Sequence, residues 1–143
     1  MSQEERQRPL RLLLVEDDED DYVLVRDALR EADPQMELDW IEEPDRALEA
    51  LCAGQHDVCL LDFRLGSQTG TELLKRARQR GCHMPVILLT GLGDEETDRQ
   101  AQEAGANDFL VKSQVTPVLL ERTIRYTRQQ AHMVEAQRRS EAS

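Results

Sequence analysis

Leu12–Asp21 reads LLLVEDDEDD, four aliphatic residues running straight into six consecutive acids. A short run that is apolar throughout, with no alternation of apolar and polar positions, suits a β-strand covered on both faces, and the abrupt change to acids marks its carboxyl end. Carboxylates this crowded raise one another's pKa unless a cation or a helix end compensates, so something positive is expected beside them.

Similar runs recur along the chain: LRLLLV around the first, then MELDWI (36–41), DVCLL (57–61), PVILL (85–89) and DFLV (108–111). Between them apolar residues keep helical spacing, as in Tyr22, Val25 and Leu29, in Ala47, Leu48 and Leu51, and in Leu73, Leu74 and Ala77. Gly54, Gly81 and Gly105 stand where C-terminal helix caps often do. Successive βα units predict an α/β fold, a doubly wound five-stranded parallel sheet with helices on both faces, flavodoxin-like in type. Ligands of such sheets bind outside the carboxyl ends of the strands. At those ends stand Glu16 and Asp17, then Asp62, Thr90 and Lys112.

The chain has 143 residues, enough for one domain with a full core, and carries 29 acids against 18 bases, a net charge of −11. Such a charge argues against a nucleic-acid or anionic-membrane surface. No apolar run approaches the roughly 20 residues that span a bilayer, and the first residues form no signal peptide. Cys52, Cys59 and Cys82 form no CxxC pair, and Cys59 sits within VCLL as a small hydrophobe, which suggests reduced thiols in a cytoplasmic setting. His56, His83 and His132 lack ligand spacing and read as surface or turn residues, whereas Met36 and Trp40 read as core or edge packing.

VEDD, LLDFRLGSQTG, VILLTG and FLVKS, in this order and at strand ends, resemble the receiver domain of two-component response regulators, the CheY-like family. The resemblance covers roughly residues 10–131, leaving 1–9 as a polar tail and 132–143 as a helical extension or linker. It implies that Asp62 accepts a phosphoryl group from a sensor histidine kinase or phosphotransfer protein. It implies Mg²⁺ bound by Glu16, Asp17, Asp62 and the backbone carbonyl of Arg64, oxygen ligands that suit this hard cation. Lys112 would pair with the phosphate and Thr90 would hydrogen-bond it. Thr90 and Phe109 would be the switch residues, Phe109 standing where the family often has Tyr. Ser113 replaces the usual proline after the lysine, so a trans bond is expected there. Arg64 and Leu92 would flank the path of the attacking water and shield the acyl phosphate.

The remaining acids have a plainer reading. Glu19, Asp20 and Asp21 would begin a helix, where negative charge meets the helix dipole for about 0.3–1 kcal/mol each. Asp18 is either a cap or an outer partner of the metal. A Mg²⁺-dependent phosphohydrolase with an aspartyl nucleophile would want a second acid where Arg64 stands. A flavodoxin would need a phosphate loop where the acids stand. A receiver-like docking module without phosphorylation remains a third reading, one that the full set of site residues disfavours.

Thr116 and Pro117 are expected to start the last helix, in which Leu120, Ile124, Thr127, Ala131 and Val134 form a heptad-like seam. The seam suggests a connector that weakly pairs two receivers and leads to an output domain, and the segment TPVLLERTIRYTRQQ resembles the last helix of receivers fused to cyclic-di-GMP enzymes, PAS domains or histidine kinases. The chain itself is expected to be a regulatory phosphoacceptor, not an enzyme acting on other molecules.

Overall fold

The computed structural model describes residues 8–142 except residue 92, so Leu92 lies outside the described residues, as does the polar tail up to residue 7. In chain order the elements are β1 (Arg11–Val15), α1 (Glu19–Ala32), β2 (Glu37–Ile41), α2 (Pro44–Cys52), β3 (Val58–Asp62), β4 (Arg64–Leu65), β5 (Gln68–Thr69), α3 (Gly70–Gln79), β6 (Val86–Thr90), α4 (Glu95–Ala104), β7 (Asp108–Val111), a 3₁₀ turn (Lys112–Gln114) and α5 (Pro117–Ala142). Five strands form one parallel sheet in the order β2-β1-β3-β6-β7, as expected of a doubly wound fold. Sequence patterning does not announce β4 and β5, a two-stranded antiparallel hairpin of two residues each.

The continuous apolar runs split by the period of two that the pleat imposes. Leu13 and Val15 face one side of the sheet with Leu61 and Leu88, where they meet Leu48 and Leu51 of α2, Leu73 and Leu74 of α3, and Ala101 and Ala104 of α4. Leu12 and Leu14 face the other side with Leu60, Ile87 and Leu89, and meet Val25 and Leu29 of α1 and Leu120 and Ile124 of α5. Both faces are covered, which is why these strands carry no polar alternation.

Several expectations need correction. Cys52 and Cys82 are not free thiols but a disulfide, because α2 and α3 lie side by side on one face and bring together residues that sequence spacing separates by 30. Cys59 is free and buried, and burial pushes its thiol well above the ordinary range. His56 is no surface histidine: its side chain is only 6% exposed and its Nε2 lies 2.7 Å from Asp39 Oδ2. In the seam of the last helix, Leu120, Ile124 and Thr127 are buried within the domain, packed in the layer shared by α1 and α5. Those three positions already have partners and cannot pair two chains.

Other expectations hold. Thr116 caps α5, its Oγ1 accepting from the Leu119 amide at 3.1 Å, with Pro117 as the first helical residue. Among the described residues no peptide bond is cis, so Ser113 follows Lys112 in the trans form. Met36 and Trp40 pack against the α1–α5 layer. No described helix is long and apolar enough to cross a membrane.

Candidate functional site

The parallel strands deliver four chain segments to one rim. β1 ends one residue before Glu16, whose side chain is fully buried. The Glu16 amide donates to the Ile41 carbonyl at 3.2 Å, and its own carbonyl accepts from Trp40 Nε1 at 2.7 Å. Trp40 in turn stacks on Tyr22 of α1, ring centroids 4.0 Å apart and 8° from coplanar, which ties the start of the acidic run to β2 and α1. Asp18 is the helix cap left open by the sequence: its Oδ1 accepts from the amides of Asp20 at 2.8 Å and Asp21 at 3.2 Å.

Asp62 ends β3, buried to 5% exposure, and Thr90 ends β6, buried to 3%. The hairpin turns the chain back immediately after Asp62, and the Gly70 amide donates to the Phe63 carbonyl at 2.7 Å. Only glycine fits at position 70, since a Cβ there would stand 2.1 Å from the Asp62 carbonyl oxygen. β7 ends just before Lys112, whose Nζ reaches back to Asp62 Oδ1 at 3.0 Å, Glu16 Oε2 at 3.2 Å and Asp21 Oδ2 at 2.6 Å. Asp17, Asp62, Arg64, Thr90 and Lys112 all line one cleft of about 660 Å³, together with Gly66, Gly91 and Thr97.

This knot supplies the positive group that the crowded acids require, and it corrects the reading of Asp21. Asp21 does begin α1, but its carboxylate is committed to Lys112 across 91 residues of sequence and is not merely a dipole partner. For Lys112, burial disfavours the charged amine, yet hydrogen bonds to Asp21 and Asp62 and the charges of Asp62 and Glu16 outweigh it and push its pKa up. For Glu16, burial first and contact with Asp62 second push the carboxyl up to about 8, with Lys112 opposing. Its Oε2 is buried, with the Lys112 amine 3.2 Å away as its charged neighbour.

A carboxyl raised on folding binds its proton more tightly in the folded chain than in the unfolded one. Its contribution to stability is complete below the unfolded value and is lost as pH rises through the folded value. With Glu16 moving from 4.5 to about 8, the melting temperature of the metal-free chain is expected to fall between pH 5 and pH 8. Glu16→Gln should flatten that slope. Calorimetric scans in a chelating buffer check it, and parallel slopes for the two chains would refute the assignment to Glu16.

One oxygen from each of Glu16, Asp17 and Asp62 lies within 4.8 Å of the others. An all-carboxylate set of this kind fits a small hard cation.

The model of the response regulator receiver domain matches residues 12–124. The chain belongs to that family. It is 34% identical over 105 residues to the cyclic di-GMP phosphodiesterase response regulator RpfG of Xanthomonas campestris, covering 72% of this chain and 28% of that protein. It is 37% identical over 114 residues to the phosphate regulon transcriptional regulatory protein PhoB of Rhizobium meliloti, covering 78% of this chain and 49% of that protein. The chain thus spans less than half the length of either relative. Its fold matches the crystal structure of a CheY-like response regulator receiver domain protein from Methanospirillum hungatei JF-1, with a TM-score of 0.74 at 24% identity over 87% of this chain and 98% of that one.

Receivers are the phosphoacceptor switches of two-component signalling, and this is the role of the chain. The receiver's strand ends place Glu16, Asp17, Asp62, Thr90 and Lys112 together as the sequence predicts, and Arg64 joins them at the cleft wall. Phe109 stands apart from the cleft, half-buried against the layer of α2, α3 and α4. Sequence reasoning missed Asp21 as a partner of Lys112, and it missed Thr97, a buried residue of the first turn of α4 that lines the cleft. Nothing in the local pattern at either position distinguishes it from an ordinary helix start.

Proposed function

We propose that this receiver takes a phosphoryl group from a sensor histidine kinase or phosphotransfer protein onto Asp62. Mg²⁺ would be held by Glu16, Asp17, Asp62 and the backbone carbonyl of Arg64. The observation that supports this best is Asp62 Oδ1 in a cleft, 3.0 Å from the Lys112 amine and beside two further carboxylates. An Asp62 oxygen attacks phosphorus, and the phosphoryl group leaves the donor's histidine nitrogen for that oxygen. When bound, Mg²⁺ neutralises charge on the phosphate oxygens. Lys112 Nζ turns from its carboxylates to the new anion, and the Thr90 hydroxyl donates to it from the end of β6. Drawing Lys112 and Thr90 toward the phosphate shifts the ends of β6 and β7, and Phe109 reports that shift through packing.

In this reading residues 10–131 are the switching unit and 132–143 a connector to an output domain or partner. A cyclic-di-GMP enzyme, a PAS domain or a histidine kinase would be the output, in a cytoplasmic setting where kinases deliver phosphate. The chemistry is self-phosphorylation and self-dephosphorylation, without a second substrate to be turned over. α5 continues unbroken to Ala142, and its exposed Tyr126, Met133 and Val134 are the apolar groups it offers to a partner.

The test is intact-mass measurement after treatment with acetyl phosphate. One phosphoryl increment per chain is expected with Mg²⁺ at millimolar concentration, and none after chelation. An increment indifferent to chelation would refute the metal-assisted reading.

A further inference from the structure

Away from the phosphoacceptor cleft, the disulfide between Cys52 and Cys82 ties the last residue of α2 to the turn after α3, with their Cα atoms 5.2 Å apart. These two residues precede β3 and β6, so the bond sits at the opposite end of the sheet from Asp62. We propose that Cys52 and Cys82 form a reversible thiol–disulfide site that reacts with low-molecular-weight disulfides and thiols.

Access is the first argument. Cys52 is exposed and Cys82 half-buried, and both line a cleft of about 570 Å³ with His56, Arg80 and His83. A small thiol can therefore reach the bond without unfolding the domain.

The surroundings divide the work between the two sulfurs. Cys82 lies two residues from Arg80, which lines the same cleft, and a neighbouring cation favours a thiolate. Cys52 ends α2, where the negative end of the helix dipole disfavours one. Cys82 is the attacking sulfur and Cys52 the resolving one. His56 borders the same cleft, its Nε2 held at 2.7 Å from Asp39.

The bond is not all that holds α2 to α3, which separates this pair from the staples of very small domains. α2 and α3 already share a buried layer through Leu48, Leu51, Leu73, Leu74 and Ala77. The third cysteine, Cys59, is fully buried in β3 and cannot exchange with the pair in the folded chain.

The step balances as ordinary exchange. The Cys82 thiolate attacks one sulfur of a small disulfide, forming a mixed disulfide and releasing one small thiolate. The Cys52 sulfur, losing its proton, then attacks the Cys82 sulfur and releases the second small thiolate. Two electrons pass from the cysteine pair to the small disulfide, and a small thiol in excess reverses both steps.

The experiment equilibrates the native chain with reduced and oxidised glutathione at graded ratios, traps free thiols with iodoacetamide and reads intact mass. Cys52 and Cys82 should become alkylatable together in one transition reversed by oxidised glutathione, while Cys59 stays protected until the chain is denatured. Reduction should lower the melting temperature by roughly 10 °C, as expected for opening a bond that closes a loop of this length. Cys52→Ser should accumulate a glutathione adduct on Cys82, and Cys82→Ser should form far less of one on Cys52. A bond that resists reduced glutathione in the folded chain and opens only on unfolding would make the pair a fixed staple and overturn the proposal. Thiols that stay free in excess oxidised glutathione would overturn it equally.

Discussion

Asp62→Asn is expected to take up no phosphoryl group from acetyl phosphate above background, under conditions that label the wild-type chain fully. An amide oxygen is a far weaker nucleophile than a carboxylate, and three of the other acids of the cleft are committed elsewhere. Glu16 is fully buried and its pKa is raised to about 8, so it is largely protonated at neutral pH in the metal-free chain. Asp21 is held by Lys112 at 2.6 Å, and Asp18 is spent on capping α1. The fold should survive the change. Asn is isosteric, it removes one of the crowded negative charges, and Lys112 keeps Glu16 and Asp21 as partners. Intact mass together with a melting scan separates loss of the acceptor from loss of the domain. Wild-type labelling in a folded Asp62→Asn chain would move the acceptor elsewhere, with exposed Asp17 the first candidate.

The second large effect is on stability. Lys112→Met should destabilise the metal-free chain by about 3 kcal/mol at pH 8, because it removes the shared cation of Glu16, Asp21 and Asp62 and leaves buried negative charge unpaired. The loss should shrink toward pH 5, where Glu16 is protonated and needs no counterion. Millimolar Mg²⁺ should restore more stability to Lys112→Met than it adds to the wild type, since in the wild type the amine already occupies part of the cation's place. Denaturant titrations at two pH values, with and without Mg²⁺, give the four numbers needed. Equal destabilisation under all four conditions would show that the lysine contributes through packing alone.

Most of the site was legible in the sequence because it is built at strand ends. In a parallel sheet the strand pattern itself says where the carboxyl ends fall, and Glu16, Asp17, Asp62, Thr90 and Lys112 could be placed there before any coordinates. Asp21 was not legible. It lies on the first turn of α1 among other acids, and only the path of the Lys112 side chain across the β1–β7 rim singles it out. The seam of α5 misled for a related reason. A heptad-like spacing describes a helix with one apolar stripe but does not say what covers it, and here α1 and the sheet cover its first half.

By itself, then, the sequence determined the order of the five strands of the main sheet and the helices between them, the two-faced burial of that sheet and the chemical types at its rim. These follow from local periodicity and from where apolar runs stop. The tertiary structure alone decided which charges share a cation, that Cys52 meets Cys82, that His56 is buried on Asp39, and that the first half of the α5 stripe faces inward. Each of these is a contact between side chains far apart in the chain. Such contacts depend on how helices lie across a twisted sheet, to a precision of an ångström or two, and a one-dimensional pattern of residue types carries no distance of that kind.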